Sequence, residues 1–438
     1  MPDPRVSTMA DALVGSEILR IAADIRALVA DGAEICNLTV GDFAPREFPV
    51  PALLAEQTVA ALRAGETNYP PSDGVPQLRQ AVQALYERRL GLRYPLESIL
   101  VTGGSRPGLY ITYRALVDPG DAVVYPVPSW NNNHYVHLTG ARGVPVSCGS
   151  EDAFLPTRAG LEQAVRGARL LVLNSPLNPS GTSLTAPALE GICDLVLEEN
   201  ARRGAGERPL YLLYDQVYWM LTAGGVRHVD PVSLRPELAD FTIYVDGISK
   251  AFAATGMRVG WTVGPADVTR RMASILGHVG AWAPRAEQLA SARMLADDAG
   301  IDAYHARMKE AAQARLVALH DGLMRLRAAG HPVEAVAPTG SIYLSARFAL
   351  HGRSADDGST LRTNEDIRRY LLREAGLAIV PFQAFGLAED TGWFRLSVGA
   401  VAFAEIAPMF ARLQRALEAL SPAEEPAGAA RVAAGAPV

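Results

Sequence analysis

The chain has 438 residues, 49% hydrophobic and 20% charged, with 41 Lys and Arg against 47 Asp and Glu and a formal charge of −6. This balance excludes a disordered or fibrous chain and offers no basic excess to nucleic acid or an anionic membrane. The three cysteines, Cys36, Cys148 and Cys193, are odd in number, far apart and without a histidine partner at ligand spacing, so neither a disulfide framework nor a metal site is expected. The N-terminal stretch mixes acids and prolines into its apolar residues, and no window approaches the roughly 18 uninterrupted apolar residues of a membrane helix, so a cytoplasmic protein is expected.

In chain order, Pro51 to Ala64 reads as a helix, with apolar Leu54, Val59 and Leu62 inside it and Gly65 just past its end. Asp73 reads as the cap of a second helix carrying Leu78, Val82, Leu85 and Leu90 at helical spacing. Short apolar runs follow: SILVTGG at 98–104, DAVVYP at 121–126, RLLVLNS at 169–175, LYLLYD at 210–215 and TIYVDG at 242–247, each running out into Gly, Pro, Asn or Asp. Strands alternating with helices predict an α/β fold around a mostly parallel sheet, and ligands of such sheets bind beyond the carboxyl ends of the strands. A helical pattern from about 302 to Ala329, stopped by Gly330, leads towards a smaller unit holding SIYLSARF and WFRLSVGA. The expected division is an N-terminal segment 1–48 folding back onto the small domain, a large domain 49–320, a small domain 321–420 and a frayed Ala/Pro/Glu/Gly tail 421–438.

The stretch DGISKAFAATGMRVGW, residues 246–261, sets a lone lysine, Lys250, directly after an apolar strand, with Arg258 eight residues on and glycines around both. LVTGGSRPG, VYPVPSW, LVLNSPLNPSG and LLYDQVY precede it, each at the end of an expected strand. In this order the five segments resemble the fold-type-I pyridoxal phosphate (PLP) enzymes of the aspartate aminotransferase superfamily, specifically the class I/II aminotransferases, over roughly residues 15 to 415. The resemblance implies a large PLP-binding domain with a seven-stranded, mostly parallel sheet and a smaller α+β domain. It also implies transfer of the amino group of an L-α-amino acid to a 2-oxo acid by a ping-pong mechanism, in a homodimer with shared active sites.

By the same resemblance Lys250 forms the Schiff base with PLP, and burial beside cations would hold its amine deprotonated. Asp215 pairs with the pyridine nitrogen, keeping the ring an electron sink, while Tyr218 and Asn178 share the phenolic oxygen. Gly104, Ser105 and Arg106 form the phosphate loop at a helix start, joined by Ser249 and by the fork of Arg258. Gly256 and Gly260 let the backbone pass close by. Trp130 stacks on the ring, and Tyr69 reaches the phosphate of the neighbouring subunit. Arg395 clamps the substrate α-carboxylate beside the backbone of Gly41, with Asn178 close by.

Three positions depart from the pattern: Gly247 where relatives place a serine, Gln216 where an acid is usual, and Phe382 where a glycine is usual. The run WNNNHYVH, 130–137, makes Asn132, Asn133 and His134 candidates to face the substrate, and Arg285 is a candidate second cation for a dicarboxylic substrate. The departures keep open an alternative on the same scaffold: β/γ-elimination, cyclisation or C–C bond formation on an amino acid or S-adenosylmethionine. A PLP-fold regulator is disfavoured, because no DNA-binding domain or basic arm precedes the fold.

Overall fold

A computed structural model of the chain describes residues 5–15 and 17–421; the expected tail lies outside these residues from position 422 on. The central sheet has seven strands: β1 (Ile99–Thr102), β2 (Ala122–Val127), β3 (Arg142–Ser147), β4 (Leu170–Asn174), β5 (Tyr211–Asp215), β6 (Thr242–Gly247) and β7 (Gly260–Val263). They lie in the order β1-β7-β6-β5-β4-β2-β3. Neighbours among β2 to β6 are parallel, and β7 alone runs against both of its neighbours.

The five apolar runs are buried strands, as a parallel sheet covered by helices requires. β3 carries no such run. It is a half-exposed edge strand, the place where a residue such as Pro145 is tolerated inside a sheet. Along β4 and β5 only the last residues, Asn174 and Asp215, are less than fully buried. The carboxyl ends of these strands therefore open into the cavity described below.

A second, antiparallel sheet is built from β8 (Val333–Val336), β9 (Tyr343–Phe348), β10 (Val380–Pro381) and β11 (Trp393–Ser397), in the order β10-β11-β9-β8. A 31-residue helix, Asp298–Ala328, leads to it and ends before Gly330, whose φ is +92°. Cys36–Asn37 pair in parallel with Leu377–Ala378, and Ile21 and Ile25 of the helix Glu17–Ala30 pack on Leu372, Val380 and Phe382. The N-terminal segment thus lies against the C-terminal part of the chain.

One helix reading holds and the next needs correction. The helix Ala52–Arg63 forms as expected; of Leu54, Val59 and Leu62 only Leu54 is buried, while Val59 and Leu62 are 45% and 50% exposed. The next helix, Pro76–Leu90, starts after Val75, with proline in its first turn, and Asp73 does not cap it. The Asp73 carboxylate pairs with Arg79 instead. Leu78, Val82 and Leu85 are buried, as their spacing requires.

Candidate active site

The carboxyl ends of β4, β5 and β6 open into a cavity of about 700 Å³. The short helical turn Ile248–Ala251 continues β6 and delivers Lys250 to it. Lys250 Nζ donates to the Gly41 carbonyl at 2.5 Å and lies 5.9 and 6.0 Å from the ring centres of Phe43 and Tyr218. Burial lowers its pKa, helped by the positive charges of Arg395 and Arg106 and opposed by Tyr343 and Asp42. A lowered pKa leaves more of the amine neutral and able to take a proton.

Asp215 ends β5 at the floor of the cavity. Burial pushes its carboxyl up to about 7, against the Val217 N–H, which donates at 3.1 Å, and the charge of Lys250. Asn174, at the end of β4, donates to the Asp215 carbonyl at 2.9 Å and accepts from the Asn178 N–H at 2.8 Å. One strand thus fixes the next, and Asn178 is held at the wall.

Behind this floor lies a second carboxylate that the sequence reading missed. Asp246 is 1% exposed, accepts from Trp219 Nε1 at 2.8 Å, Gly247 N–H at 2.7 Å and the Tyr86 hydroxyl at 3.3 Å, and is pushed up to about 8, mainly by burial. Gln216 Nε2 donates to the same Tyr86 hydroxyl at 3.1 Å. This network gives a reason for glutamine at 216: an acid there would add a second buried carboxyl beside Asp246, each raising the other's pKa. The glycine at 247 has a reason too, since a Cβ on it would lie 2.8 Å from both Gly260 Cα and the Val259 carbonyl oxygen.

At one end of the cavity the helix Ser105–Leu116 begins after Gly104, whose φ is +94°. Ser105, Arg106, Ser249 and Arg258 line this region. Arg258 donates to the Thr255 carbonyl at 2.8 Å and the Gly103 carbonyl at 3.0 Å, and a Cβ on Gly104 would lie 2.3 Å from its Nη2. Gly260 is equally constrained, because a Cβ there would meet the backbone of Gly104 and Ser105 at 2.5 Å. Gly256 is not: its Cβ would point into open space, so the expected close approach rests on Gly260 and Gly104. Arg106 stands with its guanidinium 5.2 Å from the Trp130 ring centre and has no hydrogen-bond or ion-pair partner among the described residues.

At the opposite wall Arg395, from β11, is 1% exposed. It donates to Asn178 Oδ1 at 3.1 Å and the Thr39 carbonyl at 2.6 Å, stacks on Tyr343 and Phe385, and leaves Nε without a partner. No carboxylate pairs with it among the described residues. The Tyr218 and Tyr343 hydroxyls are 2.7 Å apart, and a Cβ on Gly41 would come within 2.9 Å of the latter. Tyr343, Asp42 and Thr255, absent from the sequence reading, also line the cavity. Tyr343 arrives on β9 from the second sheet, and no local pattern announces its contact with Tyr218.

Three of the candidate residues do not line this chain's cavity. Tyr69 is 85% exposed beside Trp282 and does not line the cavity. Asn132 is buried, donating to Ser129 Oγ at 3.0 Å and accepting from the Tyr113 hydroxyl at 3.2 Å, so it holds the fold together rather than facing a substrate. Its neighbour Asn131, with φ +63°, lines the cavity in its place. Arg285 is tied to Glu66 at 2.5 Å, away from the lining residues. Phe382, at the expected glycine position, is buried in an aromatic cluster with Phe154, Phe385 and Trp393.

Comparison with known proteins adds an independent line. The family described as aminotransferase class I and II matches residues 33–413. Aspartate aminotransferase from Rhizobium meliloti is 31% identical over 409 residues, 93% of this chain and 94% of that protein. Aspartate/prephenate aminotransferase from Thermus thermophilus is 30% identical over 386 residues, 87% of this chain and 92% of that protein. The crystal structure of a Rhizobium meliloti aspartate aminotransferase superposes with a TM-score of 0.87 at 30% identity, covering 95% of this chain and 99% of that one. That of Thermus thermophilus aspartate aminotransferase with maleate gives 0.83 at 28% identity, covering 94% and 99%. The chain belongs to the class I and II aminotransferase family and is a PLP-dependent aminotransferase of fold type I.

Proposed function

We propose that this aminotransferase moves the amino group of a dicarboxylic L-α-amino acid to a 2-oxo acid, in two half-reactions that share the cavity described above. The observation that carries this reading is Arg395, a guanidinium 1% exposed at the cavity wall and paired with no carboxylate among the described residues. A charge buried in this way is costly until an anion meets it, and the planar fork matches a carboxylate.

The residues present fit PLP. The helix start at Gly104 and Ser105, with Arg258 beside it, is a cradle for a phosphate, and a Cβ on Gly104 would fill it. Asp215 offers a carboxylate to a ring nitrogen, Trp130 a flat face and Lys250 an amine. When bound, PLP supplies an electron-accepting ring that acidifies the substrate Cα–H bond and a carbonyl carbon that carries the amino group between substrates.

The chain's own residues do the rest. Arg395 and Gly41 hold the α-carboxylate and so orient the Cα–H bond. Lys250, whose amine lies against the Gly41 carbonyl, is placed next to that clamp and moves the proton at Cα. The hydroxyls of Tyr218 and Tyr343 close the same wall; one donates to the other, which leaves one donor that would serve the phenolic oxygen of the bound cofactor.

Two observations favour a dicarboxylic substrate. The matched relatives are named as aspartate and aspartate/prephenate aminotransferases. The cavity also holds one cation more than a phosphate and an α-carboxylate use: Arg258 is bonded to backbone carbonyls, Arg395 to Asn178 and Thr39, and Arg106 is left over. We assign the side-chain carboxylate to Arg106 rather than to Arg285, which Glu66 occupies. Exposed Val59, Leu62 and Tyr69 support a homodimer in which Tyr69 reaches the neighbour's site.

The test is a single-turnover experiment with the holoenzyme and L-aspartate. Pyridoxamine phosphate must form, and Lys250→Ala must abolish it. Breakdown of the amino acid without pyridoxamine phosphate would replace transamination by elimination. Arg106→Gln should lower kcat/KM for aspartate about 10- to 100-fold more than for alanine, with cofactor affinity unchanged. An equal loss for both, with weaker cofactor binding, would return Arg106 to the phosphate.

A further inference from the structure

A second cavity, of about 320 Å³, adjoins the first, and Trp130 and Asn131 line both. The helix Asn132–Thr139 supplies Asn133, His134 and His137 to its wall, and the turn Phe382–Phe385 supplies Gln383. Residues 12–15 of the N-terminal segment cover it. This cover is pinned by a hydrogen bond of 2.7 Å between His137 Nε2 and the Met9 carbonyl, in which the ring nitrogen must donate.

The hydrogen-bonding capacity of the cavity divides into used and unused parts. The Gln383 amide is taken up by Asn364, Asp390 and the Glu389 carbonyl. Glu17, the acid at the rim, contacts Arg20 at 3.4 Å. Asn133 and His134 have no side-chain hydrogen-bond partner among the described residues. Burial, and then His137, lowers the His134 pKa, so near neutral pH this ring is uncharged and carries one donor and one acceptor. No lysine or arginine lines the space.

We propose that this cavity is a second substrate subsite, taking the end of a side chain longer than that of aspartate and terminated by a neutral hydrogen-bonding group such as a carboxamide. The inference rests on the transamination reading, because a ping-pong enzyme must seat two different acids against the same α-carboxylate clamp. An acidic side chain is met by Arg106. A long neutral one gains nothing there, and would bury that cation without an anion. Past Trp130 and Asn131 it instead meets the free amide of Asn133 and the imidazole of His134. The volume is within the range of small-molecule sites.

The experiment follows single-turnover half-reactions of the holoenzyme with L-glutamine, with L-norleucine as a chain of similar reach but no polar end, and with L-aspartate as reference. The wild type should prefer glutamine to norleucine at least tenfold in kcat/KM. His134→Phe and Asn133→Leu should each lower the glutamine-to-aspartate ratio by about 2- to 10-fold, the loss expected when one hydrogen-bond partner is removed. The more conservative Asn133→Ser guards against misfolding, and its ratio should fall in the same direction. The proposal is overturned if glutamine is handled no better than norleucine, or if the ratio stays constant across the variants. Should aspartate alone fail while the glutamine-to-norleucine ratio is high in the wild type and falls in the variants, the dicarboxylate reading fails and the subsite stands.

Discussion

The two ends of the cavity are built on different plans. At the phosphate end, position is set by backbone: Gly104 and Gly260 allow strand and helix to touch, and Arg258 is bonded to the carbonyls of Gly103 and Thr255. At the side-chain end, Trp130, Asn131, Asn133 and His134 meet the N-terminal segment and the turn at Gln383, with Arg106 against the Trp130 ring between the two ends, and several of these polar groups have no partner among the described residues. The contrast separates two jobs. Chemistry common to every substrate rests on close backbone contacts, while choice among substrates rests on side chains that the rest of the chain does not engage.

The largest effect that probes this division is expected from Arg395→Leu, because Arg395 serves both plans. It should lower kcat/KM about 10²- to 10³-fold for every amino acid, the cost of removing one partner of a buried charge pair. Stopped-flow half-reactions with aspartate, alanine and glutamine check this. A loss confined to one substrate would move Arg395 from common clamp to selector.

Next comes the backbone end. Gly104→Ala adds a Cβ 2.3 Å from Arg258 Nη2 and forces a side chain onto φ +94°. Strain of about 1–3 kcal/mol at such a position translates into a cofactor dissociation constant raised about 10- to 100-fold. Gly256→Ala, with no atom within 4 Å of its Cβ, is the matched control and should bind cofactor like the wild type. Equilibrium titration with PLP reads both.

A smaller effect tests the floor between the two ends. In the cofactor-free chain the Asp215 carboxyl titrates at about 7, against 3.8 for an unperturbed group. The folded state therefore keeps a proton that the unfolded chain releases, so stability falls as pH rises from about 4 to 7. Asp215→Asn removes that loss. The variant apoprotein should be more stable than the wild-type apoprotein by about 1–2 kcal/mol at pH 8, the open cavity reducing the full burial cost, and the gap should shrink towards pH 5. Urea melts at the two pH values measure it. Cofactor affinity should move the opposite way, since the ring nitrogen loses its carboxylate.

Legibility in the sequence follows the same division. Asp215, Lys250 and Asn178 each end or closely follow a continuous apolar strand, so local pattern alone puts them at strand ends, whereas Arg258 stands just before β7 and is marked by its spacing from Lys250; all four line the cavity. β3 escaped because an edge strand alternates in exposure and carries Pro145. Tyr343 and Asp42 escaped because they reach the site from the second sheet and the N-terminal segment, contacts at long sequence separation that no spacing encodes. Within the run 130–137 the residue types were informative but their directions were not. Asn132 turns inward to Ser129 and Tyr113, while Asn131, Asn133 and His134 face cavities, because the helix that begins at Asn132 fixes which face each presents.

The smallest effect concerns the cation that the sequence offered and the structure pairs elsewhere. Arg285 and Glu66 are 30% and 34% exposed, and a pair at that exposure contributes about 0–1 kcal/mol. Arg285→Leu should therefore change stability by under about 1 kcal/mol and leave kcat/KM for aspartate within about threefold of wild type. The measurement has a second use. If aspartate activity instead falls at least tenfold while alanine activity holds, Arg285 must leave Glu66 and enter a neighbouring copy's cavity. Selection among substrates would then be divided between Arg106 within the chain and Arg285 across the dimer, and the side-chain end of the site would be an interface rather than one chain's wall.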